Sequence, residues 1–121
     1  MAKSILKDKS FLFAIECIEL YKFLTETKKE FVMSKQFLKS SISVGANIRE
    51  NQNAESSMDL IHKLAITQKE CYEKTYWLEL LKAKNYIESD VFTKHNYNAT
   101  EILKMIRSSI LTKKNNLKNK S

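Results

Sequence analysis

The chain has 121 residues, no proline, a single glycine and a formal net charge of +7, which points to one domain with one core and withholds the turn formers that sheet proteins need. One glycine also excludes a glycine-rich phosphate loop, and the longest apolar run falls far short of the ~20 residues that span a bilayer. The charge sits at the ends: residues 1–10 hold three lysines and one aspartate, residues 113–121 hold four lysines, and residues 11–112 set 14 basic against 13 acidic groups.

The expected class is all-α, an antiparallel up-down-up-down four-helix bundle over residues 1–112. The first helix is predicted over 8–25, opened by Asp8 or Ser10 as N-cap. Phe13, Cys17, Leu20 and Leu24 recur at i, i+4, i+7 and i+11, with Ala14, Ile18 and Tyr21 widening the stripe. Before that helix the chain lacks the apolar stretch of a secretory signal, so a cytoplasmic location is expected. Residues 25–32 carry charge without periodicity and are expected to form a connection with Lys28, Lys29 and Glu30 in water.

The second helix is predicted over 34–51, capped by Ser34, with Phe37, Ser41, Val44 and Ile48 facing inward. Gly45 in a helix interior costs roughly 1 kcal/mol relative to alanine, so a packing gain is expected, with Ser41 and Gly45 letting a neighbouring helix come close. Ser43, Asn47 and Glu50, beside Ser40, form a polar strip that can meet a partner helix or a ligand.

The third helix is predicted over 57–84. Ser56 to Asp59 offers a capping box, and Asp59/Lys63 and Glu70/Lys74 are i, i+4 pairs in the favoured order. Placing Leu60, Leu64, Cys71, Thr75 and Leu78 in the core puts Ile66, Trp77 and Leu80 about half a turn away among charges, the composition of an intersubunit contact. The fourth helix is predicted over 89–113, with Phe92, Ala99, Ile102, Leu103, Ile106 and Ile110 as its apolar face. Residues 113–121 are expected to be a mobile basic tail.

Cys17 and Cys71 have no CxxC spacing and fall on apolar stripes, where small buried hydrophobes are expected. His62 and His95 lack the spacing of metal ligands, and nucleophile, base and oxyanion arrangements have no visible carrier. No cofactor, no metal and no enzymatic activity are expected.

The segments Ser43-Val44-Gly45-Ala46-Asn47-Ile48-Arg49-Glu50 and Lys69-Glu70-Cys71-Tyr72-Glu73-Lys74-Thr75-Tyr76-Trp77-Leu78, with Asp8-Lys9-Ser10-Phe11-Leu12-Phe13-Ala14, Gln36 and Ser40, carry a family likeness. The chain resembles the small four-helix-bundle proteins encoded by intervening sequences inside bacterial 23S ribosomal RNA genes, a group that includes accessory proteins of diversity-generating retroelements. The resemblance covers most of the chain. It implies a left-handed antiparallel bundle, often a ring-shaped homopentamer with a central channel, and no catalytic activity. In the retroelement branch it implies association of a basic pentamer with a reverse transcriptase and nucleic acid. Two positions depart from the family pattern: Cys71 stands where alanine is usual, and Lys74 where threonine is usual.

The resulting expectation is an oligomeric scaffold that associates with RNA or DNA in a ribonucleoprotein setting. Lys113, Lys114, Lys118 and Lys120 of the tail would contact phosphates, joined by Lys35, Lys39 and Arg49 from the second helix. The rival expectation is a protein–protein interaction module that recruits another protein without nucleic acid.

Overall fold

The computed structural model describes residues 2–120, apart from the side chains of residues 2–4, Gln52 and Lys120. It has four α-helices, α1 (Ala2–Glu26), α2 (Met33–Glu50), α3 (Ser57–Ala83) and α4 (Ser89–Lys120), with a 3-10 turn at Asn51–Asn53 after α2. Contacts between neighbours run in opposite senses along the chain. Lys9 bridges Glu101 while Glu16 meets Lys94, and the Cys71 thiol faces the Ala99 carbonyl while Lys82 lies over Phe92. Helix α4 therefore runs antiparallel to both α1 and α3.

The core follows helical spacing. On α3 the buried positions Leu60, Leu64, Thr67, Cys71, Lys74, Leu78 and Leu81 alternate steps of four and three, the seam that bundle packing requires. Phe13, Cys17, Leu20 and Leu24 of α1, Phe37, Val44 and Ile48 of α2, and Ala99, Ile102, Leu103 and Ile106 of α4 complete it.

Two boundaries, one burial and one cap differ here from the sequence expectation. Helix α1 begins at Ala2 rather than near Asp8, because Leu6 and Ser10 are buried and extend its core contact. Helix α4 continues to Lys120, so the backbone of the expected tail is helical; no glycine or proline stops it, and Lys113 and Leu117 are half-buried along it. Glu30 is not in water but 7% exposed. Its carboxylate accepts the N–H groups of Val32, Met33 and Ser34 at 3.1, 3.0 and 2.7 Å, satisfying orphan donors at the start of α2 with a charge that the helix dipole favours. Ser34 instead donates its hydroxyl to the Glu30 carbonyl at 2.7 Å.

The connections have clear local causes. Lys29 and Asn85 take left-handed backbone angles, φ 54° and 64°, and the chain then folds back so that the Glu30 N–H reaches the Leu24 carbonyl and the Tyr86 N–H the Leu81 carbonyl, each at 2.9 Å. At α3 the Ser56 hydroxyl accepts the Asp59 N–H at 3.1 Å, half of the expected capping box, while Asp59 accepts the N–H of Glu55, one residue before the cap, at 3.1 Å. No helix among the described residues is long and apolar enough to cross a membrane.

Candidate functional site

The extension of α4 changes the meaning of the basic C-terminal sequence. After Glu101 the chain has six basic residues and no acidic one. Lys104, Leu111 and Lys118 recur every seven residues, as do Arg107 and Lys114, so one helical face carries all five, and all are exposed. The Arg107 guanidinium stands 5.5 Å from the centroid of the exposed Tyr72 ring on α3. Lys104 and Arg107 were missed from sequence because helical periodicity was not carried past Lys113. Lys113 itself is half-buried and turned away from this face, while the side chain of Lys120 lies outside the described residues.

The second-helix cations are distributed differently. Lys35 and Lys39 are exposed on α2, and Arg49 lies 5.7 Å from the Phe11 ring centroid of α1. Between α1 and α2, a groove of about 290 Å³ is lined by Lys7, Phe11, Ile42, Gly45 and Arg49 among others. A Cβ on Gly45 would meet the Ser10 carbonyl oxygen at 3.5 Å and the Ala14 Cβ at 3.9 Å. Those are ordinary van der Waals distances, so α1 comes close to Gly45 yet leaves room for a methyl group. Ser41 is fully buried and donates to the Phe37 carbonyl at 2.7 Å. In the polar strip, Asn47 donates to Glu70 of α3, Ser43 is half-buried and Glu50 is exposed.

Apolar exposure is concentrated on α1. Ile5, Phe11, Leu12, Ile15, Ile18 and Phe23 are all exposed there, Leu12 at 59%. On α3, Ile66 is exposed, whereas Trp77 and Leu80 are half-buried. Trp77 packs against the core and meets Tyr76 edge to face at 5.2 Å between centroids.

The core holds a lysine. Lys74 does not pair with Glu70 on the surface; it is fully buried, and its ammonium lies 3.2 Å from the Phe13 ring centroid and 5.5 Å from that of Phe37. No hydrogen bond of ordinary geometry reaches it among the described residues, and the Cys17 thiol is a polar neighbour that interacts with it. Burial lowers its pKa to about 8, with the Cys17 and Cys71 thiols offsetting part of the loss. Burial raises the Cys71 thiol to about 11 and pushes Cys17 upward as well. His95, 5% exposed and edge-on to Phe37, is lowered to about 4, first by burial and then by the Lys74 charge. Its Nδ1 lacks a hydrogen-bond partner among the described residues.

A cavity of about 440 Å³ between α1 and α4 reaches His95, past Glu16, Glu19, Phe23, Tyr86 and Lys94. Lys74 lines none of the cavities described. An amine packed against two aromatic rings bears directly on the stability of the core. No group of three or more His, Cys, Asp or Glu side chains among the described residues is placed to hold a metal ion.

The family described as 23S rRNA-intervening sequence protein matches residues 2–108. A crystal structure of a protein of unknown function from the S23 ribosomal protein family of Bacteroides thetaiotaomicron VPI-5482 is 49% identical. The alignment covers 91% of this chain and 98% of that one, with a TM-score of 0.89. No functionally curated protein matches.

Proposed function

Because the chain belongs to the family of 23S rRNA-intervening sequence proteins, we propose that it is a non-enzymatic, self-associating scaffold that binds RNA or DNA through the basic face of α4 in a ribonucleoprotein setting. The observation that carries this reading is the line of Lys104, Arg107, Lys114 and Lys118 on one exposed helical face, in a stretch free of acidic residues. Lysines held along a helix present their charges at fixed spacing, so neutralising phosphates costs less ordering than it would from a loose tail. Tyr72, beside Arg107, adds an aromatic surface on which an unpaired base can stack. Lys113 and Lys120 and the α2 cations Lys35, Lys39 and Arg49 widen the positive field. Sequence preference is expected to be weak, because phosphate contacts position without reading bases.

The exposed apolar residues support self-association. A closed ring needs two different patches on each protomer. The Phe11, Leu12, Ile15 and Ile18 face of α1 and the Ile66, Trp77 and Leu80 edge of α3 supply such a pair, and a ring of five copies is the assembly that the resemblance favours. Light scattering on the purified protein at micromolar concentration tests this: an oligomer that Leu12→Glu disperses supports the interface, and a wild-type monomer sinks it.

The second reading, a module recruiting another protein, draws on the same α1 face. Fluorescence anisotropy separates the two readings. Labelled structured RNA, single-stranded DNA and duplex DNA are titrated with nuclease-treated protein. Binding that weakens steeply with salt supports the scaffold on nucleic acid, whereas no binding at low salt leaves the protein recruiter as the account.

A further inference from the structure

The end of the bundle where α2 turns into α3 is incompletely filled. A cavity of about 460 Å³ opens there among Leu6 of α1, Ile48 and Asn51 at the end of α2, Leu60 and Leu64 of α3, and the Lys104 to Lys113 stretch of α4. It arises because α2 stops at Glu50 while α4 runs on to Lys120, leaving the facing surfaces of α3 and α4 without a fourth wall. Its floor is apolar: Leu60 and Leu64 are 7% and 3% exposed, and Met105 packs beside them. The α4 wall is kept low by Ser108, Ser109 and Thr112.

Charge suits this space to something other than water. Lys104 and Lys113 line the cavity from opposite edges of the α4 wall. An apolar body and two flanking cations are the parts of a site for a molecule with a hydrocarbon chain and an anionic head. The volume lies within the range of roughly 300–1,000 Å³ typical of small-molecule sites.

We infer that this end cavity binds a free long-chain carboxylate, its alkyl chain laid over Leu60, Leu64 and Met105 and its head paired with Lys104 or Lys113 at the rim. The two flanking cations favour an anionic chain over a second copy, which carries the same net charge of +7.

Isothermal titration of the full chain with dodecanoate, below its micelle-forming concentration, tests the inference beside dodecanol as a neutral control. Dodecanoate should bind at a single site, and dodecanol at least tenfold more weakly. Ser109→Phe fills the cavity from its half-exposed wall and should abolish binding with the helical circular dichroism unchanged. Lys104→Gln/Lys113→Gln should bring dodecanoate down to the dodecanol level. Equal binding of acid and alcohol overturns the anionic head, and undiminished binding to the Ser109→Phe chain overturns the site. Absence of binding, or an affinity that falls as protein concentration rises, overturns the free carboxylate, the latter in favour of a second copy seated over the cavity. The site shares Lys104 and Lys113 with the proposed nucleic-acid surface, so Ser109→Phe, which keeps both lysines, is the variant that separates the two: it should leave nucleic-acid binding unchanged.

Discussion

Lys74 and the lysines of α4 share a side chain and have opposite surroundings. Lys74 faces aromatic rings without a hydrogen bond of ordinary geometry among the described residues, while Lys104, Lys114 and Lys118 are exposed on a helix surface. In the core a cation loses its hydration and lowers stability, because a ring face restores only part of what water gave. On the surface the same group keeps its water and projects a field that a polyanion can use. A net charge of +7 therefore says little about function until each cation is located, and the contrast can be broken at either end.

The largest expected effect is on stability. Replacing Lys74 by methionine, similar in length and without charge, should raise unfolding free energy at pH 7 by about 3 kcal/mol, the penalty implied by a pKa lowered from 10.5 to about 8. Urea unfolding measures it, and a destabilised Lys74→Met chain would mean that the ammonium contributes more to the core than it costs.

The pH dependence sharpens the same point. The unfolded chain holds the Lys74 proton up to about pH 10.5 and the folded chain only to about pH 8. Between those values the unfolded state binds more protons, so stability should rise with pH in wild type relative to Lys74→Met. Cys71 works in the opposite sense. Its thiol is raised from 9.0 to about 11, so the folded state binds more protons there and stability declines across that interval, which makes pH 8 to 9 the cleanest window. On the acid side, His95 stays neutral to about pH 4 when folded against 6.5 unfolded. Stability should fall as pH drops through that interval, and His95→Gln should flatten the fall.

Smaller effects test the helix boundaries that position these residues. Glu30→Ala removes the carboxylate that accepts three N–H groups at the start of α2 and should cost about 1 to 2 kcal/mol in thermal or urea unfolding. Gly45→Ala places a methyl where the nearest atoms lie at 3.5 and 3.9 Å. It should stabilise by about 0.5 to 1 kcal/mol through helix propensity, and destabilisation would show that α1 and α2 need the bare glycine.

Much of the core was legible because it depends on spacing alone: Phe13, Cys17, Leu20 and Leu24, or Phe37, Ser41, Val44 and Ile48, are buried where periodicity put them. Sequence and structure part where a side chain's chemistry and its helical position point different ways. Lys74 lies three residues after Cys71 and four before Leu78, on the same seam, but its charge and its spacing from Glu70 suggested a surface pair. Glu30 looked like a wet loop residue, although a carboxylate just ahead of a helix start is also a cap. The basic face of α4 was illegible once helical phase had been dropped at Lys113, because Lys104, Arg107, Lys114 and Lys118 align only on a continuous helix. The cavity beside Asn51 depends on where α2 ends relative to α4, which periodicity does not reveal.

The most direct test of the proposed nucleic-acid scaffold is the salt dependence of binding to labelled structured RNA, compared between the wild-type chain and Lys104→Gln/Arg107→Gln/Lys114→Gln/Lys118→Gln. Removing one cation from the phosphate backbone should flatten the slope of log K against log salt by nearly one, so the four-residue variant's slope should be shallower by about 4 and its affinity lower for every sequence tried. A variant with unchanged slope and affinity would contradict the assignment of nucleic-acid binding to the α4 face.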